Sequence, residues 1–397
     1  MHLSASIPNN RVRSIDLLRG VVMIIMALDH TRDLFHDQAL LQDPLNIDTT
    51  TPSLFFTRWI THICAPVFVF LSGTSIYLQS LRKTRKQLSR FLFTRGLWLI
   101  FLELAVMTLI MTFDIRYSFF LLVVIWAIGI SMVLMSALIW LSYKWIIALG
   151  LIIIFGHNLL DIYESDNQGG FSVFYSLLHR QAFLPFIHHH VLGILYPFLP
   201  WTGLMMVGFA FGKLFDGTID VRRQRKTVAI IGYALIAIFI CLRASNVYGD
   251  PSHWSVRDSS TYTLMSFLNT TKYPPSLLFI CMTIGPALIF LAYMNSAKNR
   301  ITHLVTVFGR VPLFYYILHF FVLHLVSAMF TIGRGHSFNE AAKGAPGIPF
   351  KFLFPGEGFS LGGVYIVWIL LIVLLYPLCK LYADYKARNK KWWLSYL

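Results

Sequence analysis

Long apolar runs recur along the whole chain, separated by short connections that are polar or basic. A run of about 20 apolar residues is long enough to cross a bilayer as an α-helix. The pattern therefore predicts an all-α fold, a polytopic membrane helix bundle that forms a single domain over residues 1–397. We expect about ten spans, near residues 15–36, 55–80, 91–113, 118–140, 143–160, 192–215, 227–243, 275–295, 303–332 and 360–383.

Composition supports a membrane protein. The chain is 56% hydrophobic with a mean hydropathy of +0.64, more apolar surface than a soluble core of this size could bury. The first apolar run follows a short basic head and lacks a small-x-small cleavage site, so we expect no cleaved signal peptide. The four cysteines lie singly in apolar segments and are predicted to be small core residues: Cys64, Cys241, Cys281 and Cys379.

The formal charge of +15 has a strong bias toward one side of the predicted membrane. The side that holds both tails and the even-numbered connections carries 23 of the 33 Lys and Arg residues, including the runs 82–86, 222–226 and 386–391. The positive-inside rule then predicts that both termini are cytoplasmic. Topology and anionic lipid explain the basic excess, so nucleic acid is not an expected partner.

The first span ends in a cluster of ionisable side chains. Such groups are costly at bilayer depth and indicate a functional site, although a helix that emerges into water would also explain them. On a helix, Asp33 and His36 each fall within about 40° of Asp29, and His30 lies about 100° away from Asp29. The cluster consists of Asp29, His30, Arg32, Asp33 and His36.

Arg19 precedes this cluster on the same helix. It lies about 16 Å below His30 and within about 20° of the same direction, so both side chains are candidates for one cleft. The alternative is a positive anchor at the cytoplasmic membrane face, with Asp16 as its partner three residues earlier.

The second and third spans carry further ionisable residues. Arg58 and His62 are one helical turn apart at the predicted depth of the first-span cluster, so we expect them to face it, although His62 could be an ordinary interior histidine. Glu103 lies near the centre of the third span and needs a partner. The candidates are the arginines of the outer cluster or Arg95 on its own helix.

The second half of the chain offers weaker candidates. Lys272 and Tyr273 are predicted at the outer membrane face, at the end of the long loop 244–274. A second long loop, 333–359, is rich in Gly and Pro. In the ninth span His319 is favoured over His324 as the inward-facing histidine. His188, His189 and His190 cannot all bind one metal from a regular helix, and no metal site is expected.

The segment RSIDLLRGVVMIIMALDH resembles the opening of multi-span membrane acyltransferases. The first span of acyltransferase family 3 typically contains an Arg and a His separated by ten residues. Arg19 and His30 have this spacing. A closer likeness is to the bacterial relatives of lysosomal heparan-α-glucosaminide N-acetyltransferase. Six segments carry it: RSIDLLRG, RWITHICAPVFVFLSG, RGLWLIFLEL, LPWTGLMMVGFAFGKLF, TKYPPSLLFICMTIGPAL and VPLFYYILH.

This resemblance implies a helix bundle in a bacterial inner membrane that passes acetyl from cytosolic acetyl-CoA to an amino sugar on the far side. The chain departs from the lysosomal enzyme in three ways. That enzyme has Asn where Asp29 stands, a Gly-rich insertion before its active histidine, and a large luminal domain that this chain lacks. Its alignment makes His36 catalytic, whereas the family 3 spacing indicates His30.

Acyl transfer to an amine or hydroxyl needs a base and a neighbour that sets the tautomer of the base. We expect His30 or His36 with Asp29 or Asp33 to supply them, and His30 is favoured because it lies about 9 Å deeper along the helix axis. Arg19, Arg58 and Lys272 are candidates for binding CoA or polarising the thioester. His62, Glu103, Tyr273 and His319 complete the predicted substrate site.

A proton-coupled secondary transporter is the alternative function, because its relay would use the same Asp, His and Glu side chains. The halves of the sequence share no repeated pattern or matching broken helices, which are typical of transporters. A non-catalytic scaffold would not need an ionisable cluster inside its first span. Acyl-CoA, a glycan acceptor and membrane lipid are the expected partners. The sequence leaves the acceptor, the acyl length and the oligomeric state open, with a homodimer as one alternative.

Overall fold

The computed structural model describes residues 13–166, 170–187, 189–294, 299–389 and 391–395, and most of its regular structure is helical. Within these described residues, seven helical stretches are long and apolar enough to cross a membrane, and each coincides with a predicted span. The predicted total of ten remains a prediction. The seven are Pro52–Ser80, Arg85–Thr112, Tyr143–Ser165, Phe198–Phe215, Val221–Ser245, Pro312–Gly333 and Leu361–Arg388.

The helices are numbered in chain order. The first nine are α1 Arg13–Phe35, α2 Pro52–Ile60, α3 Cys64–Ser80, α4 Arg85–Phe101, α5 Thr108–Thr112, α6 Val124–Leu138, α7 Tyr143–Gly156, α8 Leu159–Asp166 and α9 Val173–Leu178. The others are α10 Phe198–Phe211, α11 Val221–Ser245, α12 Ser260–Leu268, α13 Leu277–Tyr293, α14 Arg300–Arg310, α15 Pro312–Gly333, α16 Phe338–Lys343 and α17 Leu361–Arg388.

A small sheet departs from the all-α prediction. Its strands are β1 Phe119–Leu122, β2 Ala182–Phe186 and β3 His190–Ile194, in the order β1-β3-β2. β3 pairs in parallel with β1 and antiparallel with β2. Residues at the starts of two predicted spans therefore form strands. A short apolar run does not by itself distinguish a buried strand from the end of a helix.

The predicted ninth span divides into two helices. α14 ends at Arg310, and α15 begins at Pro312. A proline disfavours helical conformation in the residue before it, and Val311 has φ −131° and ψ 49°. α14 is therefore a separate amphipathic helix, and α15 alone is the span.

α1 lies at the centre of the bundle, and most of its residues are buried. It packs closely against α14 through a glycine on each helix. A Cβ on Gly20 would lie 2.0 Å from the carbonyl oxygen of Val305, and one on Gly309 would lie 1.8 Å from that of Asp16. Only glycine permits this backbone contact, which is typical of membrane helix interfaces.

Glycine also sets the α3–α10 contact, as the small residues of both spans predict. A Cβ on Gly73 would lie 2.0 Å from the Met205 carbonyl oxygen, and one on Gly208 would lie 2.1 Å from that of Phe70. Of the cysteines, three are buried as predicted, but Cys241 is exposed on α11. In a membrane bundle an apolar residue can face lipid, so apolar surroundings do not imply an interior position.

Candidate functional site

Ion pairs inside the bundle hold the polar end of α1. Asp29 contacts Arg58 of α2 at 2.5 Å and Arg32 at 3.1 Å, one guanidinium on each carboxylate oxygen. Arg32 also contacts Asp33 at 2.5 Å. Buried charges are tolerated when they are paired and hydrogen-bonded. The predicted meeting of the first and second spans at this depth is confirmed.

His30 stands beside this ion-pair network. Its Nδ1 is 3.7 Å from an Asp33 carboxylate oxygen, and its side chain is 21% exposed. The ring packs against Phe320 of α15, with centroids 4.0 Å apart, and lies 5.4 Å from the ring of His319. His30 is thus fixed by α15 on one side while Asp33 lies within reach of its Nδ1.

These residues line a cavity of about 200 Å³, here called the outer cavity. It holds both signs of charge, three tyrosines and an apolar wall. Its lining includes Asp29, His30, Arg32, Asp33, Arg58, Cys64, Tyr196, Lys272, Tyr273, Tyr316, Phe320 and His324.

A clamp around Asp250 positions Lys272 in this cavity. The Asp250 carboxylate accepts hydrogen bonds from the Thr271 N–H at 2.9 Å, the Thr271 hydroxyl at 3.0 Å and the Ser276 hydroxyl at 2.6 Å. The loop between Thr271 and Ser276 carries Lys272, whose Nζ lies 5.0 Å from the ring centroid of Tyr273. Both of these predicted residues line the outer cavity.

Tyr273 lies in a positive environment. Burial alone would raise the pKa of its hydroxyl, but Lys272 and Arg58 more than offset burial and lower the pKa below its ordinary value. Its ring lies 5.2 Å from that of Tyr196, at an angle of 71°. Positive charge therefore accumulates around Tyr273 in the cavity that His30 also lines, where an anionic or electron-rich group would be stabilised.

A second cavity, of about 500 Å³, lies below the first and is here called the inner cavity. Arg19 reaches it and donates hydrogen bonds to the Leu71 carbonyl at 3.0 Å and the Ser75 hydroxyl at 2.5 Å. Arg19 also lies 3.7 Å from Asp16, the predicted anchor partner. The cationic lining residues are Arg19, Lys83, Arg95, Arg310 and Lys386.

The two cavities share a wall formed by Met26, Phe68, Val124 and Tyr316. Arg19 and His30 were predicted to line one cleft, and the structure places them in two cavities on either side of this wall. A ligand with an anionic end and a neutral reactive end would fit such an arrangement.

His36 and His62 lie outside both cavities. His36 follows the end of α1, and its Nδ1 accepts a hydrogen bond from the Gln38 N–H at 3.2 Å. His62 is 1% exposed and faces Phe279, with ring centroids 5.3 Å apart. It lies in the 3-10 turn Thr61–Ile63, which rotates it away from the direction a continuous α-helix would give. Its burial against Phe279 agrees with the alternative of an ordinary interior histidine, and a role at the first-span cluster stays a prediction.

Glu103 lies outside both cavities and has a different partner from those predicted. Its carboxylate accepts a hydrogen bond from the Trp126 N–H at 3.0 Å, at the start of α6. Among the described residues, the N-terminus of α6 thus takes the place of the predicted arginine, as helix dipoles favour. The π-helical turn Leu102–Met107 carries Glu103 to this position.

Both histidines of α15 face the interior, so the predicted inward position of His319 is confirmed and His324 shares it. His319 is fully buried behind His30, and its Nδ1 donates to the Tyr315 carbonyl at 2.9 Å. His324 lines the outer cavity instead. Its Nδ1 and Nε2 lie 2.9 and 2.8 Å from the carbonyl oxygens of Ile110 and Lys351. Of the three adjacent histidines, His188 lies outside the described residues.

Four other cavity residues were not predicted. Tyr196 lines the cavity from the segment before α10 and Tyr316 from α15, and Cys64 and Phe320 also belong to the lining. Their only sequence signal is proximity to predicted residues, since Tyr316 and Phe320 flank His319 on the helix.

The chain was compared with known protein families. A family model described as heparan-alpha-glucosaminide N-acetyltransferase, catalytic, matches residues 11–248, which include the polar end of α1 and Arg58. A search of curated proteins gave no match. The match covers more than half of the chain and confirms the resemblance in the segments before α12. Together with the seven membrane-length helices it supports a membrane acetyltransferase. The chain belongs to the heparan-alpha-glucosaminide N-acetyltransferase catalytic family.

Proposed function

We propose that this chain moves an acetyl group from cytosolic acetyl-CoA to an amine or hydroxyl of a glycan, such as an amino sugar, on the other side of a bacterial inner membrane. The observation that supports this most is the pair of cavities with a shared wall. A donor held in one cavity can then present its thioester to an acceptor held in the other.

The inner cavity is suited to the nucleotide end of CoA. Its five cationic side chains surround about 500 Å³, and Arg binds phosphate oxygens through two parallel N–H groups. The pantetheine chain is long and weakly polar, which suits the apolar residues around the shared wall. The thioester would then lie near Tyr316 and Met26, next to His30.

The outer cavity supplies the groups that acyl transfer needs. The acceptor nitrogen or oxygen attacks the thioester carbonyl carbon while His30 takes its proton. Lys272 stabilises the oxyanion of the tetrahedral intermediate. Collapse of the intermediate breaks the carbon–sulfur bond, and His30 returns the proton to the departing CoA sulfur. Asp33 orients His30 and stabilises its protonated form.

The charge network also bears on the alternative, a proton-coupled transporter. Asp29 is shared between Arg58 and Arg32, and a carboxylate held by two guanidinium groups keeps its charge rather than relaying protons. This arrangement favours a fixed charge network around a single base rather than a proton relay. Release of CoA only in the presence of an acceptor would distinguish the enzyme from a transporter.

The role of His30 is tested by comparing purified His30→Ala and His36→Ala. We expect His30→Ala to lower acetyl-CoA turnover with an amino-sugar acceptor by about a hundredfold or more, while His36→Ala stays near wild type because His36 lies outside the cavity. Thermal stability measured on each variant separates chemistry from folding. If His30→Ala is active and His36→Ala is inactive, the base is misassigned; if both are active, the acyl-transfer proposal is wrong.

The sides of the membrane are part of the proposal. Adding α1, α6 and α13 to the seven spans brings the total to ten. An even number would put both termini on one side, and the positive-inside rule favours the cytoplasm. In a cysteine-free background, Ser255→Cys should react with an impermeant thiol reagent in intact cells, and Thr84→Cys only after permeabilisation. Labelling of Thr84→Cys in intact cells would contradict this topology.

A further inference from the structure

A group of histidine and carboxylate side chains lies outside both cavities, between α8 and the end of α9. His179 is fully buried, and its Nδ1 lies 2.8 Å from the Glu164 carboxylate. Its Nε2 lies 3.0 Å from Nδ1 of His157, which is itself 3% exposed. Asp161 stands one helical turn before Glu164 on α8.

The three potential ligands converge on one point. One ligand atom each from Asp161, Glu164 and His179 lie within 4.8 Å of one another. Ligand atoms around a tetrahedral zinc ion are about 3.4 Å apart, from bond lengths of about 2.1 Å. Small side-chain rotations would therefore close these three atoms around one ion.

His157 gives this group the arrangement of a metal site with an orienting partner. A histidine ligand typically uses its second nitrogen for a hydrogen bond that fixes the ring and its tautomer. His179 has this partner in His157, on the nitrogen opposite the carboxylates. His157 has no hydrogen-bond partner at Nε2 in the described part of the chain, so its contact with His179 is the one that holds its ring.

His336 offers a contrast elsewhere on the outer side. It also contacts two carboxylates, Glu340 at Nδ1 (3.0 Å) and Glu357 at Nε2 (2.6 Å). Because these carboxylates bind opposite nitrogens, they cannot share one ion with the ring. The convergence at His179 is therefore more than the ordinary pairing of histidine with acids.

We propose that Asp161, Glu164 and His179 bind a divalent zinc ion, with His157 as a positioning residue. The ion is structural. Asn158 donates to Asp161 at 2.6 Å and accepts from the Leu277 N–H, at the start of α13, at 2.9 Å. A bound ion would thus tie α8 and the end of α9 to α13, whose preceding loop carries Lys272. No metal site was predicted anywhere in the chain, because sequence spacing alone does not join His179 to carboxylates on another helix.

The test uses the full-length protein in detergent, with any purification tag removed, stripped by a chelator and titrated with zinc alone. Wild type should bind about one zinc ion per chain, measured by mass spectrometry after gel filtration, and zinc should raise its melting temperature. Asp161→Asn and Glu164→Gln should each weaken zinc binding at least tenfold and lose this rise. His157→Gln should keep the stoichiometry but bind zinc about 10- to 100-fold more weakly.

Two controls exclude other sites. His336→Gln should bind zinc as wild type does. Asp29, His30 and Asp33 also bring ligand atoms within 4.8 Å, so Asp33→Asn must keep wild-type zinc affinity. The proposal is overturned if wild type binds no zinc. It is also overturned if Asp161→Asn and Glu164→Gln elute as folded proteins and keep the zinc affinity of wild type. Loss of zinc affinity in Asp33→Asn would overturn it as well.

Discussion

The outer and inner cavities differ in the way they use charge. The outer cavity combines Asp29 and Asp33 with Arg32, Arg58 and Lys272. The inner cavity has five cationic residues, and its described lining includes no Asp or Glu. The two cavities share one apolar wall. Their difference in charge therefore arises over a few turns of α1, between Arg19 in the inner cavity and Asp29 in the outer one.

Each pattern suits a different task. Paired charges attract a net anion weakly, but they fix side chains at defined positions around a reacting group. Charges of one sign create a potential that attracts phosphates and is sensitive to salt. The comparison indicates that chemistry is confined to the outer cavity and most of the donor affinity to the inner one.

The largest effect that separates the two cavities should follow removal of the Lys272 charge. We expect Lys272→Met to lower kcat for acetyl transfer by about 10²- to 10³-fold, the usual effect of losing one oxyanion donor. KM for acetyl-CoA should change little, because Lys272 lies in the outer cavity. Steady-state kinetics with acetyl-CoA varied at saturating acceptor measure both constants.

Lys343→Met is the matched control for this prediction. Lys343 ends α16 and is exposed outside the cavity, so its loss should leave both constants near wild type. If Lys272→Met has normal kcat and a raised KM, Lys272 contributes to acetyl-CoA binding and not to oxyanion stabilisation.

An intermediate effect should follow a change in the inner cavity. Arg310→Gln removes one of its five cations and should raise KM for acetyl-CoA about tenfold, the value of one charge-assisted hydrogen bond, with little change in kcat. Arg300→Gln, at the other end of α14 and outside the cavity lining, is the control. The opposite result, a lower kcat at unchanged KM, would contradict the separation of binding from chemistry.

Some of the site could be predicted because it depends on one helix. Asp29, His30 and Asp33 lie in a single periodic segment, so their shared depth follows from helix geometry. The contact with Arg58 follows from the cost of burying a charge without a partner. Polar residues within apolar spans are therefore a sufficient sequence signal for this end of the outer cavity.

The rest depends on geometry that the pattern does not specify. A 3-10 turn interrupts the second span at His62, and a π-helical turn carries Glu103 to the start of α6. Both depart from the regular α-helical period on which the predictions relied. The inner cavity gathers cations from several elements. In sequence, each of them resembles an ordinary positive-inside anchor.

The smallest effect concerns His36, which lies beside the outer cavity without lining it. Burial lowers the pKa of His36, Arg32 lowers it further, and Asp37 at 3.7 Å opposes them only in part. Protonation at Nδ1 would also break the hydrogen bond that this atom accepts from Gln38. The folded protein therefore favours neutral His36.

The sign of the pH effect follows from this difference. An unfolded histidine titrates near pH 6.5, so between that pH and the lower folded pKa the unfolded state binds more protons, and stability falls as pH falls. We expect His36→Gln to lose less melting temperature than wild type between pH 7.5 and pH 5.0, by on the order of 1 °C, with normal turnover at pH 7.5. His253→Gln, at an exposed histidine, should behave as wild type. Equal losses in all three proteins would show that His36 titrates normally. A large loss of turnover in His36→Gln would instead show that His36 takes part in catalysis, which would contradict the assignment of His30 as the single base.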